Sequence, residues 1–236
     1  MRTARLYTDL SYLTADEEIT ADMDGVFSHL ASQNRPPKLR QLILAPFHLQ
    51  RRMLEKIDQV AQAASRGGDA RIVVKMNALT DEALIRALVR AGQCGVRIDL
   101  IVRGACMLAA QVPGLTENIR VRSVIGRFLE HTRVFYFRVA QQEDLYLSSA
   151  DWMNRNMLRR VEVAWPVTDP ELRQRIIDEC LVAYLHDDRD AWDLQVDGTY
   201  ARANAPGQGT GVQDALMQRY GVTGPTQKSA NHRCKR

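Results

Sequence analysis

The sequence predicts an α/β fold, a sheet with helices packed on it. Two observations carry that prediction. From Leu39 onward, apolar runs alternate between strand-like and helix-like periodicity in the order βαβαβ. From Asn118 the chain becomes rich in strand-like runs before a last long helix.

Residues 2–13 read as extended or loop. Thr14-Ala15-Asp16-Glu17 has the pattern of a capping box. It opens a helix that places Ile19, Met23, Val26, Phe27 and Leu30 on one face, which is expected to be left partly exposed. The double proline of "NRPPK" (34–38) stops that helix and is the expected domain boundary. "LRQLILAP" follows as a buried strand. "HLQRRMLEKIDQVAQAAS" is a helix with Leu49, Met53, Ile57, Val60 and Ala64 in register. "RIVVKMN" is a strand, "DEALIRALVRAGQCG" a helix ending at Gly95, and "VRIDLIVRG" a strand. This order argues for a mostly parallel arrangement. "NIRVRSVI", "RVFYFRV", "DLYLSS" and "RRVEVAWPV" continue as strands. A helix begins at Asp169-Pro170, with proline in its first turn, and runs to about Leu185. From about Tyr200 the chain turns polar. A short helix, "VQDALMQRY", follows, and the basic end "GPTQKSANHRCKR" is expected to be disordered. The expected domains are 1–34, 35–199 and a polar, disordered tail over 200–236.

The bulk composition excludes several classes. The 236 residues are 45% hydrophobic and 25% charged, as in a globular domain. No window approaches 18 uninterrupted apolar residues, so no membrane span is expected. Met1-Arg2-Thr3-Ala4-Arg5-Leu6-Tyr7 lacks the apolar core of a signal peptide, so a cytoplasmic location is expected. The net charge of +4 suits a phosphate-rich ligand and equally suits an ordinary basic protein. Cys94, Cys106, Cys180 and Cys234 form no CxxC pair and no zinc spacing, so reduced thiols and no protein-held metal are expected.

Ligands of open α/β sheets bind beyond the carboxyl ends of the strands. Lys75 and Asn77 end one strand and Arg103 another, and Arg120, Arg122, Arg127, His131 and Arg133 lie in the strand-rich part. A solvated basic face is the alternative for any one of these arginines. His131 precedes a strand, and Ser148-Ser149-Ala150-Asp151-Trp152 begins seventeen positions later, with Asn156 beyond it. Two adjacent antiparallel strands would bring both ends to one edge of the sheet. A histidine that titrates near neutrality, a bidentate Arg133 and the donors Ser149 and Asn156 outline a phosphate site. Spacing leaves open a plainer reading, in which His131 is one polar residue at the mouth of a strand. His29, His48, His186 and His232 have no partner pattern. "GQGTG" (207–211) has neither a preceding strand nor a following Lys-Ser/Thr and is not a phosphate loop.

The segments "RTARLYTDLSYLTAD", "KMNAL", "IDLIVRGACML", "VPGLTENIRVRSVIGRFLEHTR" and "LYLSSADWMNRNMLRRVEV" together resemble the C-terminal part of the bacterial long-chain polyphosphate kinases, from about Arg2 to Tyr200. The resemblance implies reversible, magnesium-dependent transfer of the ATP γ-phosphate to polyphosphate. It implies a phospholipase-D-like mixed sheet flanked by helices, preceded by the remnant of a first such domain. It also implies that His131 is the catalytic histidine of the second domain and that Tyr7, Arg103 and His131 contact ATP; Lys75, Asn77, Arg133, Ser149 and Asn156 are expected as secondary phosphate contacts from their positions alone. The family's phosphorylated histidine and its Mg²⁺-associated residues lie upstream of "TARLYTD". A truncated or split gene is therefore expected, with the upstream half acting in trans or the chain forming a homo-oligomer. The expected partners are ATP, ADP and polyphosphate, with no nucleic acid. Two other readings stay open. One is a non-catalytic remnant or nucleotide- or polyphosphate-binding module. The other is a phospholipase-D-type phosphodiesterase, which the arginine rather than lysine after His131 disfavours.

Overall fold

A computed structural model describes residues 6–32, 38–204 and 209–221. In chain order the elements are β1 (Tyr7–Thr8), α1 (Glu17–Ser32), β2 (Ile43–Ala45), α2 (Leu49–Ser65), β3 (Ala70–Met76), α3 (Glu82–Gln93), β4 (Arg97–Val102), β5 (Ile119–Val124), β6 (Leu129–Glu130), β7 (Arg133–Val139), β8 (Gln142–Ser148), α4 (Asn154–Leu158) and β9 (Glu162–Pro166). A long helix follows, made of α5 (Pro170–Ile176), a π-helical segment (Ile177–Val182) and α6 (Ala183–Leu185). β10 (Ala191–Leu194), β11 (Tyr200–Arg202) and α7 (Val212–Tyr220) complete the described chain.

The result is an α/β fold with a mixed sheet. Among the described residues, nine strands lie in the order β11-β10-β5-β4-β3-β7-β8-β9-β2. Only β3–β4 and β4–β5 pair in parallel, and the other pairs are antiparallel. This corrects the mostly parallel expectation. The tight β7–β8 connection, with Ala140 at φ 51°, forces an antiparallel return. β2 joins the far edge beside β9 instead of lying beside β3.

Both faces of the sheet are covered, which explains the near-continuous apolar runs of β3 and β4. On one face Leu49, Met53, Ile57 and Val60 of α2, with Leu84 and Leu88 of α3, pack on Ile72, Val74, Ile98, Leu100, Phe135 and Phe137. Asp81 caps α3 by accepting from the Leu84 amide at 3.0 Å, and Gly95 ends it at φ +94°. On the other face Leu181, Tyr184 and Val212 pack on Val73, Ile101, Val124, Val134 and Leu147.

The N-terminal segment is tied to this body. Ile19 and Val26 of α1 bury against Leu42 and Leu44. Asp22 is buried and accepts the backbone amides of Arg40 (2.9 Å), Gln41 (2.7 Å) and Leu42 (2.9 Å). The apolar face is narrower than the periodicity suggests, since Phe27 is 63% and Leu30 48% exposed. The cap also differs from a capping box. The Asp16 carboxylate accepts from Glu18 and Ile19 amides at 3.0 Å, while Thr14 accepts from the Asp16 amide. The double proline (36–37) lies outside the described residues, as do His232, Cys234 and the end of the tail.

The expected disordered tail over 200–236 needs correction where it is described. Residues 200–202 form β11 on the sheet edge, and 212–220 form α7, whose Val212 and Gln213 are buried. Among the described residues no helix is long and apolar enough to cross a membrane.

Asp22→Ala removes the acceptor of three backbone amides that hold α1 to β2. The expected loss is roughly 2–3 kcal/mol, since hydrogen bonds to charged groups are among the stronger ones. A urea titration reads this as a lower midpoint at constant slope. An unchanged midpoint would contradict the role given to Asp22.

Candidate functional site

The carboxyl ends of β3 and β4, the start of β7 and the loop after β8 meet at one edge of the sheet. Antiparallel pairing sets this up, because Arg133 is the register partner of Ser148. There an open cleft of about 740 Å³ is lined by Asn77, Arg103, His131, Arg133, Ser149 and Asn156. Six of the eight residues named from the sequence therefore share one cleft.

Asp151 organises it. Its carboxylate takes Arg133 Nε and Nη2, each at 3.1 Å, and the backbone amide of Asn77 at 2.7 Å. Both charged side chains of this pair are about 10% exposed. Arg133 is thus consumed as a fork on Asp151, and its remaining Nη1 turns back to the His131 carbonyl (2.9 Å) and His131 Nδ1 (3.1 Å). His131 Nδ1 also lies 3.5 Å from Asp9 Oδ2. The imidazole is 42% exposed, and its backbone amide donates to the Thr8 carbonyl at 2.9 Å. Arg103 Nε donates to Asn77 Oδ1 at 3.0 Å, and the Gly104 amide donates to the Asn77 carbonyl at 2.8 Å. A Cβ on Gly104 would stand 3.0 Å from that carbonyl oxygen, so the close turn after β4 favours glycine.

Glu162 organises the other wall. It accepts from Ser149 Oγ at 2.5 Å and from Asn156 Nδ2 at 2.6 Å. Two polar atoms of the cleft residues are buried without a hydrogen-bond partner, Asn77 Nδ2 and Asn156 Oδ1. Arg155 and Arg160 add cations to the lining. Sequence reasoning missed Asp9, Glu162, Arg155 and Arg160 as members of the site, and quoted Asp151 without giving it a role. An acidic residue that organises a basic site carries no spacing signal of its own.

Two named residues go elsewhere. Tyr7 stands beside the cleft, edge-on to the His131 ring with centroids 5.4 Å apart, and lines a neighbouring, mostly apolar cleft of about 570 Å³. Lys75 does not reach the phosphate-type cleft. Strand alternation turns it to the face covered by the long helix, where its Nζ donates to Glu130 at 2.8 Å and lies 3.5 Å from the centroid of the Tyr184 ring. Tyr184 and Gln213 also donate to Glu130, at 2.7 and 2.8 Å. Burial and the neighbouring Glu130 carboxylate push the Tyr184 phenol well above its usual range. The resemblance assigns the Mg²⁺-associated residues to segments upstream of "TARLYTD". Among the described residues no three His, Cys, Asp or Glu side chains converge, and Asp151 and Glu162 are already taken by donors.

Comparison with known proteins gives one family. Residues 42–213 match the domain described as polyphosphate kinase C-terminal domain 2. A polyphosphate kinase of Neisseria meningitidis serogroup B is 48% identical over 212 residues, covering 90% of this chain and 31% of the relative. One of Burkholderia cenocepacia is 50% identical over 201 residues, covering 85% and 29%. The crystal structure of polyphosphate kinase from Porphyromonas gingivalis superposes with a TM-score of 0.86 at 34% identity, over 92% of this chain and 33% of that one. The chain spans about a third of the length of these relatives.

Asp151→Ala leaves Arg133 buried and unpaired and the Asn77 amide without its acceptor. The expected cost is roughly 3–5 kcal/mol, the range for breaking a buried pair from one side. Arg133→Lys keeps the charge but not the two-pronged contact, and should cost less. Chemical denaturation of both variants checks the order; a loss for Asp151→Ala within about 0.5 kcal/mol of zero, as for a surface change, would refute it.

Proposed function

The chain belongs to the polyphosphate kinase family, as a C-terminal portion, and from that premise we propose that the His131 cleft handles phosphate in the reversible transfer of the ATP γ-phosphate to polyphosphate. The observation that carries this reading is the direction of the hydrogen bond at His131. A guanidinium only donates, so Arg133 Nη1 occupies the lone pair of Nδ1. The neutral ring then carries its proton on Nε2, and that nitrogen has no partner among the described residues.

Nε2–H can donate a hydrogen bond to a phosphate oxygen and so stabilise charge that builds up on the transferring group. In the forward direction the bond from the γ-phosphorus to its bridging oxygen breaks, and its electrons stay with ADP. A new bond to phosphorus forms to the attacking group, P–O with the terminal oxygen of polyphosphate or P–N with a histidine from another part of the family's length. In this protonation state His131 is a hydrogen-bond donor and phosphate ligand, not the nucleophile. The phosphorylated histidine that the resemblance implies would come from an upstream portion, in cis or in trans. Arg103 and the unpartnered Nδ2 of Asn77 suit the spread charge of a transferring phosphoryl group. Tyr7, between the two clefts, suits contact with the nucleoside.

The test is transfer of label from γ-labelled ATP to polyphosphate, by the chain with and without a separately expressed upstream portion of a family member. Transfer is expected, and His131→Ala should lower it by about 10²–10³-fold. Equal transfer by His131→Ala would exclude the role given to that imidazole. No transfer under either condition would favour a binding module.

A further inference from the structure

We propose that the arginines at the amino ends of the three parallel strands form a second anion site, which takes an inorganic polyphosphate chain away from the His131 cleft; this rests on the reading that polyphosphate is the substrate. Arg71 and Arg97 are direct cross-strand partners on β3 and β4, and Asp99 and Arg120 are the next pair on β4 and β5. Register partners share a face of the sheet. On that same face Val73, Ile101 and Val124 are buried under the long helix. The charged side chains emerge where this covering ends, at the opposite ends of β3 and β4 from Asn77 and Arg103. They line an open cleft of about 650 Å³.

Adjacent strands lie about 4.8 Å apart, and like charges placed opposite one another destabilise a sheet. The cations here are under-compensated. Asp99 is buried and takes Arg71 Nη2 at 2.9 Å and Arg97 Nε at 3.5 Å. Arg122 adds nothing to the excess, because Asp193 accepts its Nε and Nη2 at 2.8 and 3.0 Å and two backbone carbonyls accept its Nη1. Arg71 and Arg97 therefore share one carboxylate. Arg120 is exposed with no partner among the described residues, and Arg71 Nε is buried with none. A ligand with several closely spaced negative charges supplies what is lacking. The lining contains no Phe, Tyr or Trp and a single aromatic ring, His186, too few for a run of stacked bases, which favours polyphosphate over single-stranded nucleic acid.

The test measures binding of labelled long-chain polyphosphate and of tripolyphosphate to the whole chain, the double variant Arg97→Glu/Arg120→Glu, the charge-keeping Arg97→Lys/Arg120→Lys, and Arg103→Ala in the His131 cleft. Urea midpoints confirm that each variant is folded. The charge-reversed variant should bind the long chain at least tenfold more weakly, with a shallower salt dependence and unchanged tripolyphosphate binding. The lysine variant should retain most of the affinity. Long-chain binding that is lost in Arg103→Ala but unchanged in Arg97→Glu/Arg120→Glu would overturn this site and leave the proposed function standing. Loss in the reversed variant alone, with Arg103→Ala binding both ligands normally, would support this site and overturn the reading of the His131 cleft. A single-stranded oligonucleotide competing equally at the same phosphate concentration would overturn the polyphosphate assignment.

Discussion

The geometry of the cleft depends on the Asp151 carboxylate. It receives the Arg133 fork from β7 and the Asn77 amide from the end of β3, so it joins the two central strands at the point where they stop pairing. A buried pair of this kind adds little net stability relative to well-packed apolar residues, because desolvation offsets the attraction. Its consequence here is positional. With two nitrogens of Arg133 fixed on Asp151, the third can only turn back to the residue two positions earlier, and that residue is His131. The imidazole therefore has an assigned direction, with Asp9 Oδ2 also 3.5 Å from its Nδ1.

His131 is also fixed from behind. Glu130 points to the opposite side and collects Lys75, Tyr184 and Gln213. Gln213 in turn clamps Phe128, accepting from its amide at 2.7 Å and donating to its carbonyl at 3.0 Å. The short strand β6 is thus gripped by α7 and the long helix on one side, and β1 pairs with it in parallel. Two residues of β-pairing would be marginal alone. The buried charged cluster and the Thr8 carbonyl that receives the His131 amide make the segment rigid.

Most of the fold was legible in the sequence because apolar periodicity reports which faces are covered. The runs in α2, α3, β3, β4, β7 and β8 all have buried counterparts. What was not legible depends on a few polar contacts. β10 and β11 interrupt their apolar residues with Asp193 and Arg202, so no period shows. α7 was legible as a short helix, but its docking was not, because it docks through Val212 and Gln213 and not through an apolar stripe. The site was legible at His131, Arg103, Asn77, Arg133, Ser149 and Asn156, which reach one cleft. Lys75 was misplaced because a strand end was read without asking which face its side chain takes. A lysine on a face that a helix covers must be neutralised, and Glu130 does this.

The arginines at the two ends of the parallel strands make a useful contrast. At the carboxyl ends Arg133 is matched to Asp151, and Arg103 leans on the Asn77 amide oxygen, so the cations are spaced and oriented. At the amino ends Arg71 and Arg97 face each other across one pair and share a single buried aspartate, with Arg120 unpaired among the described residues beside them. Apolar residues or a lysine-glutamate pair at these positions would suit the sheet better, since the neighbouring positions on the same face are already sealed by Val73, Ile101 and Val124. The two cores on either side of the sheet supply enough buried apolar surface to tolerate this repulsion. A fold can keep such an array where a polyanion offsets it, and the same charge excess that strains the empty sheet edge is what would draw a phosphate chain to it.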